Sequence, residues 1–429
     1  MIVSSKKIFY FAQALRYPSF ALLWAGQVVS ELGDGAFDVA LAWKILLLTG
    51  SATAMGLIMT AETLPRVLFF LLGGVAADRF PRRMILLVSD IGRAAVVFLI
   101  ALLAGLNILQ LWHLIVLALF FGVVKGFFRP AFRSISPQLV EKETLQSANS
   151  LITLTEQLGL LLGPLIGSLL IVTTGVTGAF TFNALTFVCS AVCFLLLRLN
   201  PSIELARKEK ALAKRADGTE KKGVSGVFTN IAEGFRYVGS IRWLWVSILV
   251  ASVGNICFLG PLVVVLPKLV TTVYKSNVVL LGAVNTAGGL GTIVGLLLTG
   301  QFMQRGRRGL FAYLAMLLSS LALISFGLPL PAPFGQYGLI LADALVGLGV
   351  GAFGVVWMTV IQEMVPGDKL GRVVSIDMVG SYCLMPIGYA LAGVLADSIG
   401  PAWIYIAAGL INCLLAALAL LVRDIRKME

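Results

Sequence analysis

Three carboxylates, Glu31, Asp34 and Asp38, stand within one apolar run. Spaced three and four apart, they share one face of a helix, with about 5–6 Å between neighbouring positions. Like charges that close repel, and the group that ionises least readily holds a proton it can exchange. Glu62 and Arg66 form a second constellation, an i,i+4 pair of opposite charge with Pro65 between them. Such a pair either neutralises itself or lines a cavity, and the proline loosens the helix where a moving element would bend. Lys125, Glu156 and Asp343 are solitary charges in other apolar runs, each also readable as one buried ion pair or hydrogen bond. Asp34 is the leading candidate for proton coupling or substrate contact; the plainer alternative leaves these acids near an interface or beside Lys44.

The elements that must hold these groups are membrane spans. The chain has 429 residues, of which 59% are apolar and only 13% charged, with a mean hydropathy of +0.95. These values lie far outside those of soluble domains. An ionised side chain at the centre of a bilayer costs about 2.5–3.5 kcal/mol on insertion scales, so each should face a partner, a cavity or an interface. The net charge of +12 sits in short clusters between apolar runs; no basic stripe suggests nucleic acid. The five cysteines lie in apolar runs without Cys-x-x-Cys spacing, and His113 is the only histidine. Metal sites, cofactors and histidine-based catalysis therefore have almost nothing to build on, and no enzyme activity is expected.

At roughly 20 residues per crossing, spans are predicted near 20–48, 53–76, 84–105, 110–132, 148–173 and 177–198, then near 243–266, 279–302, 309–328, 336–360, 373–396 and 401–422. Residues 199–242 change character, with Pro201, mixed charges and Gly218, Gly223 and Gly226. The expectation is an all-α membrane protein of twelve transmembrane helices. Its halves are an N-terminal six-helix bundle, 1–198, and a C-terminal one with a short tail, 243–429, joined by a linker at 199–242. Basic clusters occupy every second loop, and only Lys268 and Lys275 fall on the other side, which puts both termini in the cytoplasm.

A repeat at an offset of about 225 residues supports the two halves: Val140, Leu145 and Ser150 recur as Val365, Leu370 and Ser375, and Gly163 falls on Gly388. Between spans two and three, Gly74, Asp78, Arg79, Arg82 and Arg83 stand in a compact turn broken by Pro81. Its eroded echo has Gly300, Arg305 and Arg308, with Gln304 in place of the acid. Gly288 to Gly291 and Gly347 to Gly351 sit inside apolar runs without a following Lys-Ser/Thr, so they read as helix packing, not as a nucleotide loop.

The turn resembles the Gly-x-x-x-Asp-Arg-x-x-Arg-Arg loop of the major facilitator superfamily. Gly159, Gly163, Pro164 and Gly167 are similar to the helix-five signature of its exporters and antiporters. Ser30 to Asp34, Asp90 to Arg93 and Ala148-Asn149 resemble its macrolide-efflux and enterobactin-exporter-like branch. The chain departs from the family where many proton antiporters carry an arginine in span four: Gly122 stands there. The intramembrane charges Glu31, Asp34, Asp38, Glu62 and Arg66 are read as a proton-coupling or substrate cavity, and Asp90 and Arg93, one to three turns beyond Arg83, as part of the cytoplasmic gate; the resemblance implies two rocking bundles with that gate formed by Gly74, Asp78, Arg79, Arg82 and Arg83. It implies export of a hydrophobic or amphiphilic small molecule, of drug or siderophore type, by proton antiport from a monomer in the cell membrane. A uniporter or importer of a lipid or metal chelate, or a non-transporting sensor, is the alternative.

Overall fold

The computed structural model describes residues 12–198, 235–302, 308–328, 330–331 and 334–426. Most of the central linker and the basic cluster around Gln304 and Arg305 lie outside the described residues. Among the described residues every regular element is helical: α1 Pro18–Thr49, α2 Ala52–Arg79, α3 Arg82–Gly105, α4 Leu111–Ile135, α5 Leu145–Leu196, α6 Arg242–Gly260, α7 Leu266–Thr272, α8 Val278–Phe302, α9 Arg308–Phe326, α10 Phe334–Met364, α11 Gly367–Cys383, α12 Met385–Ser398, α13 Pro401–Leu421 and α14 Arg423–Arg426. Nine of the described helical stretches are long and apolar enough to cross a membrane.

Local chemistry sets the breaks. Gly50 joins α1 to α2 at φ 64°, and Gly400 precedes Pro401 at φ 96°; only glycine enters that region freely. The 52-residue α5 is interrupted at Gly175, with φ 75° and ψ 175°, inside the break predicted between 173 and 177. It is thus two helical arms. At the start of α4 the Gln110 N–H donates to His113 Nδ1 at 3.0 Å, half of a reciprocal capping box, which gives the lone histidine a structural role.

The chain divides into two compact units, each discontinuous in sequence. One is Met1–Ala40 with Leu64–Ser225; the other is Leu41–Thr63 with Gly226–Glu429. In the first, Phe20, Leu23, Leu86, Phe128, Phe132 and Phe194 form a buried cluster. In the second, Leu244, Tyr313, Val356, Ile361 and Val373 do so. Large apolar side chains such as Leu68, Leu169, Leu297 and Leu321 are exposed. A soluble protein rarely tolerates this, whereas lipid tails solvate them.

Within the second unit, α8 lies close against α10. A β-carbon at Gly291, Gly295, Gly347 or Gly351 would run into the facing backbone, so the glycine-rich pieces serve helix packing as read from sequence. Asp397, at the end of α12, closes the corner between α1 and α2. Its carboxylate accepts from the Ala52 and Thr53 N–H groups, both at 2.9 Å, and from Thr53 Oγ1 at 2.7 Å, and it pairs with Lys268 Nζ. The first N–H groups of a helix lack intrahelical acceptors, and the helix dipole favours an anion there. Asp397 therefore caps α2.

Candidate functional site

The small-residue face of α5 packs against α1 along the stretch that carries Glu31 and Asp34. A β-carbon at Gly163 would sit 2.6 Å from the Gly35 Cα; one at Gly167 would sit 2.7 Å from the Ala36 carbonyl oxygen and one at Gly159 3.0 Å from the Glu31 Cβ. The small face of the first arm of α5, with Pro164 buried in it, thus lets α1 approach to backbone contact along Glu31–Ala36. The second arm meets the same stretch of α1: a β-carbon at Gly33 would collide with Thr186 and Asn183.

This close approach places Asp34 at the centre of a charged group that also uses α3. Arg93 Nη1 lies 3.6 Å from Asp34 Oδ2, and Arg93 Nη2 pairs with Asp90 Oδ1. The Arg93 side chain is 3% exposed and that of Asp90 is fully buried. The guanidinium is clamped between two rings, 4.0 Å from the Phe128 centroid and 4.4 Å from that of Phe187, a desolvated setting in which cation–π attraction reaches about 2 kcal/mol. The unequal contacts matter. A 3.6 Å contact is an ion pair without a direct hydrogen bond, so Asp90 grips the arginine and Asp34 shares it loosely.

One guanidinium faces two carboxylates, leaving one excess negative charge if both are ionised. Glu31 stands a turn away, its Oε1 accepting from Gln27 Nε2 at 2.6 Å. Several polar atoms around the group are buried without a hydrogen-bond partner among the described residues: Gln27 Oε1, Ser30 Oγ, Asp34 Oδ1, Arg93 Nε and Asn183 Nδ2. Each such atom costs about 1–3 kcal/mol, and interiors normally satisfy them. This is a polar site with unused hydrogen-bonding capacity among apolar helices.

The other sequence candidates are distributed more widely. Asp38 is exposed, one turn beyond Asp34 on α1. Glu62 is 7% exposed and belongs to the second unit, while Arg66, one turn on along α2, belongs to the first. Lys125 Nζ lies 4.6 Å from the Phe121 centroid. Asp90 and Arg93 share α3 with Arg82 and Arg83, but Arg93 stands about 15 Å further along the helix at 1.5 Å per residue. Nothing in the sequence itself joins Asp34 to Arg93.

The basic turn acts on helix ends. Arg82 donates to the Ala77 carbonyl at 3.4 Å and to that of Ser134, near the end of α4. Arg83 donates to the Phe194 carbonyl at 2.8 Å and to that of Leu195, at the end of α5. Terminal carbonyls are the groups a helix leaves unpaired, and cations suit its C-terminal dipole. Arg79 is exposed and the Asp78 side chain lies outside the described part of the structure. Gly73 makes the close approach here: its β-carbon would meet the Gly126 carbonyl at 2.5 Å, whereas Gly74 faces open space.

A family model described as Major Facilitator Superfamily matches residues 23–342 and 320–429. The chain belongs to that superfamily, which makes it a membrane transporter and not an enzyme. It is 28% identical over 423 residues to the multidrug efflux pump Tap of Mycolicibacterium fortuitum, a match covering 96% of this chain and 98% of the relative. It is 23% identical over 411 residues to macrolide efflux protein A of Streptococcus pyogenes, covering 96% and 97%. These relatives agree with the macrolide-efflux-like branch expected from sequence. Among solved structures, the nucleoside transporter NupG superposes with a TM-score of 0.70 at 14% identity, covering 94% of this chain and 98% of that one. A bacterial homologue of the iron transporter ferroportin gives 0.70 at 13%, covering 94% and 98%. At such identities the likeness establishes the shared fold alone.

Proposed function

We propose that this protein exports a hydrophobic or amphiphilic small molecule, of drug or siderophore type, across the cell membrane by proton antiport. Efflux by the two curated relatives supports the direction. The observation that carries the coupling is the single guanidinium of Arg93 shared by Asp34 and Asp90 within membrane helices. With Asp34 ionised, Arg93 is drawn between two carboxylates and α1 is tied to α3. A proton on Asp34 removes the excess charge and leaves Arg93 to Asp90, which frees α1 from that tie. The proton and the conformational change are then linked through one side chain. The arginine missing from span four, where Gly122 stands, is replaced in this role by Arg93 on α3.

The architecture of this reading is twelve spans. α1 and α2 add to the nine candidate stretches, and α5 counts as two crossings about Gly175. The spans form six-helix bundles at 1–198 and 243–429 around the linker 199–242, with both termini cytoplasmic and the monomer as the working unit. The bundles alternate access by rocking, as internal repeats of this kind do. Arg82 and Arg83 hold the turn at the inner end of the first bundle, where Gly74, Asp78 and Arg79 complete a cytoplasmic latch.

The test uses the full chain in proteoliposomes. A pH gradient should drive uphill uptake into inside-out vesicles for at least one compound of a drug and siderophore panel. Asp34→Asn should abolish uphill movement while leaving downhill counterflow. Uphill movement that survives in Asp34→Asn would remove Asp34 from the coupling, and counterflow with no gradient dependence in the parent chain would make the protein a facilitator.

A further inference from the structure

Asp377 was not singled out by its sequence surroundings, and the structure gives it a specific setting in the second unit. It lies eight residues beyond Lys369 on α11, or about 12 Å along the axis, within a candidate membrane span. Trp357 of α10 donates its indole N–H to Asp377 Oδ2 at 3.2 Å. The other carboxylate oxygen, Oδ1, is buried and has no hydrogen-bond partner among the described residues. No ion pair to Asp377 occurs among those residues, and Lys369 is engaged elsewhere, its Nζ 4.3 Å from the Tyr237 centroid.

The aromatic groups beside it are ordered. The Trp357 ring stacks on Phe353 one turn away, with centroids 6.3 Å apart and planes at 17°. Phe353 meets the edge of Tyr313 at 6.0 Å and 80°, and the Tyr313 hydroxyl is held by a 2.9 Å hydrogen bond to Ser247 Oγ. The ladder is therefore anchored on α9 and α6. Phe353, Trp357 and Asp377 all remain partly accessible.

We propose that Asp377, Trp357 and Phe353 form a binding site for an organic monocation bearing an apolar or aryl body. The unpartnered carboxylate oxygen supplies the counter-charge, and the ring faces supply cation–π attraction and area for a weakly hydrated cation. A hard metal cation is a poor fit, because it requires six or more oxygen ligands in its shell and this site offers one carboxylate. The proposal deepens the efflux reading and rests on it for the claim that the bound cation is cargo; the binding itself stands on the geometry alone.

Equilibrium dialysis of the purified full chain in detergent, with tetraphenylphosphonium as the cationic probe and N-phenyl-1-naphthylamine as the neutral one, tests the site without any proton gradient. Asp377→Asn should weaken tetraphenylphosphonium binding about tenfold and Trp357→Leu about fivefold, with the neutral probe changed less than twofold in either. Asp377→Glu, which keeps the charge, should stay within about threefold of the parent and so separates loss of charge from misfolding. The proposal is overturned if the parent chain does not bind tetraphenylphosphonium, if Asp377→Asn binds it within twofold of the parent, or if both probes weaken equally. Asp377-dependent binding without proton-driven transport would sink the antiport reading and leave this site; proton-driven transport without Asp377-dependent binding would do the reverse.

Discussion

Asp397 in one unit and Asp34 in the other are both carboxylates on membrane helices, and their surroundings differ. Asp397 receives two backbone N–H groups, hydroxyls of Ser51 and Thr53, and the Lys268 ammonium. Asp34 has one shared guanidinium at 3.6 Å and an oxygen with no hydrogen-bond partner. A carboxylate surrounded by donors is fixed, since protonating or moving it breaks several interactions together. One that is under-supplied changes protonation state or partner at small cost. Asp397 thus serves as a structural joint, and Asp34 is the carboxylate on which the proposed coupling rests.

The contrast is most exposed to failure at Arg93. Arg93→Leu leaves Asp34 and Asp90 without their cation, and breaking a buried ion pair this way costs about 3–5 kcal/mol. Thermal unfolding of the purified chain should show that loss, and Asp90→Asn in the same chain should recover at least half of it. A silent Arg93→Leu would mean the two acids are neutralised elsewhere.

Gly163→Leu should come next. It drives a side chain into the Gly35 backbone, for a loss of about 1–3 kcal/mol from overpacking, together with loss of transport. Leu160→Ala, at a position 56% exposed on the same helix, should stay within about 0.5 kcal/mol. Equal effects at both positions would dissolve the link between the α5 motif and the acidic face.

Asp397→Ala should cost about 1–2 kcal/mol, the range for a lost helix cap, with Asp397→Asn recovering part because asparagine also caps well. Asp34→Asn should leave stability unchanged to within about 0.5 kcal/mol, since it removes excess charge and no saturated interaction. If Asp34→Asn destabilises more than Asp397→Ala, the roles assigned to the two acids are reversed. His113→Ala should cost about 0.5–1 kcal/mol, for half of a capping box, with transport unaffected.

Much of the fold is legible in the chain because membrane spans announce themselves locally. The break in α5 follows from an apolar run too long for one crossing, and Gly175 is the residue that can make the turn. The Gly159 to Gly167 face is a stripe of small residues in an apolar helix, a pattern that allows close packing. Its partner is not legible, because any of several helices could approach it. Arg93 shows the same limit: near Arg83 in sequence it reads as part of the gate, and nothing in its neighbours points to Asp34, 59 positions earlier. Asp377 is not legible for a related reason. A single acid in an apolar run carries no pattern until Trp357 is placed beside it.

The amino-acid sequence by itself determined that the chain is an all-helical membrane protein of the major facilitator type, roughly where its apolar runs lie, and which charges must be accommodated in lipid. Those properties depend on hydropathy, glycine and proline conformations, and charge, all of which act over a few residues. Only the tertiary structure decided which polar groups meet: Arg93 with Asp34 and Asp90, Lys268 with Asp397, and Trp357 with Asp377. Ion pairs and hydrogen bonds fall away within a few ångströms, so their partners are fixed by helix packing, and the chain carries no local record of that choice.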